Sequence, residues 1–178
     1  MTLPHPIAVE LLPHDPRWSA MAEEAGATIS AALAPIVVTV HHIGSTAIQG
    51  ISAKPILDLI PVVQSLPELD ARRDDIESLG YECWGEFGLS GRRYCTKNDP
   101  HTGRRLVQLH CYEIGSSEIS RHLAFRDYLR ERPDVAREYE YEKARCRSLH
   151  PADSHAYSDC KNAWITRVEA EALARYRR

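Results

Sequence analysis

Two short stretches concentrate the residue types able to do chemistry. His42-Ile43-Gly44-Ser45-Thr46 sets a Gly-Ser-Thr turn directly after the β-branched run Ile36-Val37-Val38-Thr39-Val40. Glycine takes backbone shapes that other residues resist, and hydroxyls beside the exposed amides of a helix start suit a phosphate group. The same dipeptide also serves as a plain strand-to-helix turn. Twelve residues separate Ser45 from Asp58, an acid inside the otherwise apolar run Ile56–Val63. An ionised carboxylate in a strand core is costly unless it is paired, binds a metal or stands at a site opening. Lys54-Pro55 brings a cation to the same edge of that strand.

Three further groups are candidates. In Arg104–Glu113, strand alternation sets Gln108, His110 and Tyr112 on one face and Leu109, Cys111 and Glu113 on the other. His110 reads either as a metal ligand or base near neutral pH, or as a hydrogen-bonded scaffold residue; Glu113 is the competing third acid. Arg126 falls at helical spacing among Ile119, His122, Leu123 and Leu129, and Lys161 shares a stripe with Tyr157, Trp164 and Val168. A cation on an apolar stripe either snorkels to water or meets an anion, here a ligand phosphate or Asp58. By contrast, Glu138–Lys143 reads as a solvated helix face, and Arg175-Tyr176-Arg177-Arg178 as a basic helix C-terminus.

The elements that must position these residues can be read from pattern. Asp15-Pro16 reads as a helix start, running to about Leu33. Buried strands over 36–40 and 56–63 follow, then a helix from Pro67 to Leu79 ended by Gly80. Tyr81–Phe87, Arg92–Thr96 and Arg104–Glu113 read as a meander of strands joined by Gly-containing turns. Ser116–Arg130, Pro133–Leu149 and Asp153–Arg175 read as helices. This order predicts an α/β (α+β) domain over residues 1–178: a small mixed β-sheet flanked by helices, with a helical C-terminal portion.

With these elements in view, the joint spacing of Gly44-Ser45 and Asp58 matches a Gly-Ser turn followed by a metal-binding acid on the next strand. The stretch from His42 to Asp58, with Asp15-Pro16-Arg17-Trp18, His122–Leu129 and Tyr157-Ser158-Asp159-Cys160-Lys161, resembles the GrpB family of the nucleotidyltransferase superfamily. Four blocks in the family's order cover nearly the whole chain. The resemblance implies a polymerase beta-like fold, a nucleotide or other phosphorylated small molecule as ligand, and Mg²⁺ or Mn²⁺ as cofactor. Carried onto this sequence, it implies Asp58 as the metal-binding catalytic carboxylate beside the Gly44-Ser45-Thr46 turn; the residue pattern adds His110 as a catalytic candidate and Lys54, Arg126 and Lys161 as cations around phosphate. The superfamily's second acid is replaced by Ile60. That departure leaves a rival expectation, a noncatalytic binding or interaction module that keeps the fold without the full carboxylate set. GrpB domains also occur fused to dephospho-CoA kinase, but this sequence has no GxxxxGK[ST] phosphate loop.

Composition bounds the partners. A net charge of −3 is unlike the strongly basic domains that coat nucleic acid. Five cysteines form no CxxC pair and read as reduced thiols of a cytoplasmic protein. No signal peptide is expected in the first residues, and no window has the ~20 apolar residues of a membrane span.

Overall fold

The computed structural model describes residues 5–176, which divide into two compact units. The sheet lies in the unit made of residues 16–44 and 56–119. Its elements are α1 (Arg17–Ala32), β1 (Val37–Ile43), β2 (Leu57–Val63), α2 (Leu66–Ala71), α3 (Arg73–Ser78), β3 (Tyr81–Cys83), β4 (Arg92–Asn98) and β5 (Arg105–Glu113). The strand order is β1-β2-β5-β4-β3. Only β2 and β5 run parallel; the other neighbours are antiparallel, so the sheet is mixed.

Sequence dictates these places. Leu57–Val63 is apolar on both faces apart from Asp58, which suits a strand covered on both sides. β1 was expected to be buried, but it is an edge strand with Val38 45% exposed. β-branching fixed its extended backbone, not its burial. It also runs three residues past Val40, through His41 and His42. The helix expected over Pro67–Leu79 is two short ones broken at Arg72, whose guanidinium donates to the Ala32 carbonyl at 3.0 Å and pairs with Asp75. β3 stops at Cys83 rather than Phe87, because Gly85, Phe87, Gly88 and Gly91 all have positive φ. The cap of α1 is Pro16, not Asp15, and it makes no side-chain bond.

The second unit comprises residues 5–15, 45–55 and 120–176. It contains a 3-10 turn (Ser45–Ala47), most of α4 (Ser117–Glu131), α5 (Pro133–Leu149) and α6 (Ser154–Tyr176). Asp153 accepts from the amides of His155 and Ala156 and starts α6 where the sequence placed it. Ile48, Ile51, Phe125, Tyr139, Val168 and Ala172 are buried together, with Tyr139 stacked on Trp164 at 4.9 Å. Cys146 and Cys160 form a disulfide between α5 and α6, in contrast to the expected reduced thiols; Cys83, Cys95 and Cys111 are free.

The charged run Glu138–Lys143 is not a solvated face. Tyr139 and Lys143 fall at helical spacing with Val135 and Cys146 on the buried stripe of α5. Lys143 is 1% exposed, and its ammonium donates to the Ser52 carbonyl. Glu140 accepts from the Ser52 amide at 2.8 Å and hydroxyl at 2.7 Å. The 45–55 segment is further tied down by paired Leu12 and Ala53 backbone bonds of 2.9 Å. Arg175 pairs with Glu131; Arg177 and Arg178 lie outside the described residues. Among the described residues no helix is long and apolar enough to cross a membrane.

Candidate functional site

In the sheet unit, three strands bring one polar cluster together. β1 and β2 pair so that Ile43, the last residue of β1, stands opposite Asp58. Gly44 follows with φ +71°, a left-handed backbone conformation that favours glycine. A Cβ built on Gly44 would lie 2.6 Å from Asp58 Oδ2 and 3.1 Å from its Cβ, so the turn packs directly against the carboxylate. Parallel pairing sets Asp58 beside Gln108, and alternation carries His110 to the same face. His110 Nε2 comes within 3.3 Å of Asp58 Oδ1. Both side chains are partly open to solvent, 28% for Asp58 and 15% for His110.

Tyr94 completes the cluster from β4, a residue that the sequence did not single out. It stands opposite His110 in the ladder, with ring centroids 5.3 Å apart. Its phenol is pushed up to about 12, chiefly by burial and next by the Asp58 charge, so it remains a neutral hydroxyl at physiological pH. Arg105, bonded to Asn98 Oδ1 at 2.7 Å, acts on the Tyr94 phenol in the opposite direction. The signal for Tyr94 was latent in the alternation of β4, but only the β4–β5 register assigns it to the Asp58 face.

The residue two positions beyond Asp58 on that face is Ile60, fully buried. The fold thus treats the second-acid position as core. Glu113, the competing third acid, is committed elsewhere: its Oε2 accepts the Leu66 amide at 3.1 Å at the start of α2. A carboxylate there also favours the helix dipole. Glu113→Gln is expected to lower stability by about 1 kcal/mol in a urea melt while leaving ligand binding unchanged.

The remaining expected site residues belong to the other unit. Ser45 opens the 3-10 turn and is half-buried, whereas Thr46 is 2% exposed, so its hydroxyl faces protein. Lys54 and Lys161 converge on the buried Tyr157 ring, at 5.7 Å and 4.2 Å from its centroid. Arg126 forms a bidentate pair with Asp127, at 2.7 Å and 3.0 Å, so its carboxylate partner lies on its own helix. Among the described residues, the one group of three or more potential metal donors is Glu142, Cys146 and Cys160. Its two sulfurs are joined to each other.

A small mixed sheet carrying a glycine turn beside an acidic strand is a nucleotidyltransferase-type fold. The chain belongs to the GrpB protein family, whose sequence profile matches residues 8–171. It is similar to the crystal structure of the conserved protein GrpB from Enterococcus faecalis, with a TM-score of 0.87 and 38% identity, over 94% of this chain and 99% of that one. The UPF0157 protein YqkA of Bacillus subtilis is 35% identical over 164 residues, which are 92% of this chain and 47% of that protein. The chain therefore spans about half the length of that relative. A dephospho-CoA kinase of Mycolicibacterium paratuberculosis is 25% identical over 88% of this chain and 44% of its own length.

Proposed function

We propose that the turn at Gly44, Asp58 and His110 form a cation-assisted phosphate site, and that the protein is a nucleotidyltransferase-like transferase acting on a nucleotide or other phosphorylated small molecule. The observation that carries this reading is the Asp58 carboxylate itself. It is held against the Gly44 backbone, 3.3 Å from His110, and partly open to solvent. The carboxylate keeps 28% of its side-chain surface exposed, so a ligand can still reach it. The likeness to a dephospho-CoA kinase supports a nucleotide-related ligand in general terms.

The donor set fits one cation and not two. One carboxylate and one imidazole suit a mixed oxygen–nitrogen ion such as Mn²⁺ better than Mg²⁺, which prefers an all-oxygen shell. Ile60 in the core removes the second acid on which a paired-ion arrangement depends. A cation held by Asp58 and His110 would neutralise charge on a phosphate. The chain's own residues do the rest. Gly44 lets phosphate oxygens approach the backbone, His110 offers Nε2 beside the Asp58 carboxylate, and neutral Tyr94 screens that face from bulk water.

Calorimetry of nucleoside triphosphates with Mn²⁺, Mg²⁺ or chelator tests the reading. Nucleotide and cation should each bind more tightly in the other's presence, with Mn²⁺ the stronger partner. Asp58→Asn should abolish that coupling with little change in the melting curve. Equal nucleotide affinity with chelator and with cation would leave the noncatalytic binding module, which the buried Ile60 favours.

A further inference from the structure

The sheet carries three thiols on one face. Cys83 stands opposite Cys95 in the β3–β4 ladder, and Cys111 stands opposite Arg93, two residues from Cys95 on the same side of β4. Tyr94 and His110 alternate to the other face, so the thiols share no side chain with the Asp58 site.

The ladder fixes how Cys83 and Cys95 meet. The Trp84 amide donates to the Tyr94 carbonyl at 2.8 Å, and the Tyr94 amide donates to the Gly85 carbonyl at 2.8 Å. Backbone bonds thus fall at the neighbouring position, and alternation makes Cys83–Cys95 a pair without them. Such pairs bring their Cα atoms to about 4.5 Å, inside the range that a disulfide spans. The two Sγ atoms lie 2.7 Å apart. A bond of about 2.05 Å therefore needs a shift of roughly 0.7 Å.

We propose that Cys83 and Cys95 are a modification site, a thiol pair that closes to a cross-strand disulfide by exchange with a small-molecule disulfide and reopens with a dithiol. Cys83 is half-buried, whereas Cys95 is 1% exposed, so the reagent meets Cys83 first. Cys83 gives its proton to water, and its thiolate attacks one sulfur of the small disulfide. A mixed disulfide forms and one small thiolate leaves. Cys95 then gives its proton to water, attacks Cys83 Sγ and expels the second small thiolate; both expelled thiolates take up protons. Two protein thiols are oxidised, and one small disulfide is reduced to two thiols.

The open pair is stored in the protonated form. The hydrogen bond with Cys95, then burial, push the Cys83 thiol up, with the Arg73 charge opposing. The hydrogen bond with Cys111 pushes Cys95 up, burial adds to it, and the bond with Cys83 opposes. Exchange is therefore slow, and the enforced proximity of the two sulfurs is what favours the closed form. The closed ring takes in residues 84–94, including Phe87 and Tyr94, whose rings stack at 5.0 Å. Closure thus fastens the connection that leads into Tyr94.

The full chain, equilibrated in buffers of reduced and oxidised glutathione, acid-quenched, alkylated and mapped by mass spectrometry, tests the proposal. A Cys83–Cys95 linked peptide lacking two hydrogens should appear, distinct from Cys146–Cys160, and dithiothreitol should reopen it. Its exchange constant should exceed that of the same pair in urea by about a hundredfold. Amides of residues 84–91 should exchange with solvent more slowly once the bond is closed. Cys111→Ala should keep the bond, and Cys95→Ser should stop Cys83 at the mixed disulfide with glutathione. The wild-type map decides even where a variant fails to fold. No link in the folded protein, a Cys95–Cys111 bond in its place, or an exchange constant no larger than in urea would overturn the proposal.

Discussion

Gly44→Ala is expected to destabilise the protein by about 3 kcal/mol, a large cost for one methyl group at a half-buried position. Two causes add. At φ +71° an L-residue meets its own carbonyl, at roughly 1–2 kcal/mol. The new Cβ would also lie 2.6 Å from Asp58 Oδ2 and 3.1 Å and 3.2 Å from the Asp58 Cβ and Cγ, so the acid must rotate away or the turn must shift. Either movement disturbs the 3.3 Å approach of His110 to Asp58. Ligand binding at this site should therefore fall more steeply than stability. A double-mutant cycle separates the two causes. In Asp58→Ala the clashing carboxylate is gone, and adding Gly44→Ala there should cost only the backbone part. Strict additivity in urea melts would mean that the side-chain clash contributes nothing and that the turn's contact with Asp58 is incidental.

That contact shows what was legible in the sequence. An acid in an apolar strand and a glycine turn twelve residues before it are local features, and their adjacency follows once the two strands pair. His110 could be set beside Asp58 because alternation along β5 needs only a parity and a neighbour. Tyr94 needed the register of a third strand, and no residue pattern in Arg92–Asn98 supplies it. β1 misled because β-branched residues report an extended backbone whether or not both faces are covered; Val38 is open to solvent while Ile43 is buried. The helical unit hid its buried lysine more thoroughly. Glu138–Lys143 alternates charges with tyrosines, and adjacent charges suggest a wet surface. Helical periodicity nevertheless turns Tyr139 and Lys143 inward with Val135 and Cys146. The apolar stripe of α5 thus passes through a lysine, and composition outweighed periodicity in the reading of that run. Arg126 was read against its apolar neighbours at helical spacing, and the adjacent Asp127, which accepts two hydrogen bonds from its guanidinium, did not enter that reading.

Burial of Lys143 should be visible in the stability of the whole protein as pH changes. Its ammonium titrates near 10.5 when unfolded and is lowered to about 7 in the fold, mainly by burial. Below pH 7 both states carry the proton, and the cost of a buried charge is paid in full. Between about 7 and 10.5 the unfolded chain binds the extra proton, so stability rises with pH across this window. At 1.36 kcal/mol per pH unit the rise from pH 7 to 9 is on the order of 3 kcal/mol. It ends near pH 9, where thiols of the unfolded chain ionise while hydrogen bonding among the thiols and burial keep Cys83 and Cys95 protonated in the fold; the buried Tyr81, Tyr94 and Tyr157 add the same loss near pH 10. The carboxylates held low, Asp70 and Glu140 among them, have delivered their contribution well below pH 7 and do not overlap the window. Lys143→Met removes the buried charge and the bond to the Ser52 carbonyl together. Its stability should be flat from pH 7 to about 8.5, at or above the wild type at pH 7 and below it at pH 8.5, where the neutral amine of the wild type still donates to Ser52. Urea midpoints of the two proteins at half-unit steps of pH should therefore cross. A wild-type curve without slope, or the same slope in Lys143→Met, would show that the lysine keeps its proton in the fold and that its burial is compensated by the Tyr139 ring and Glu140 alone.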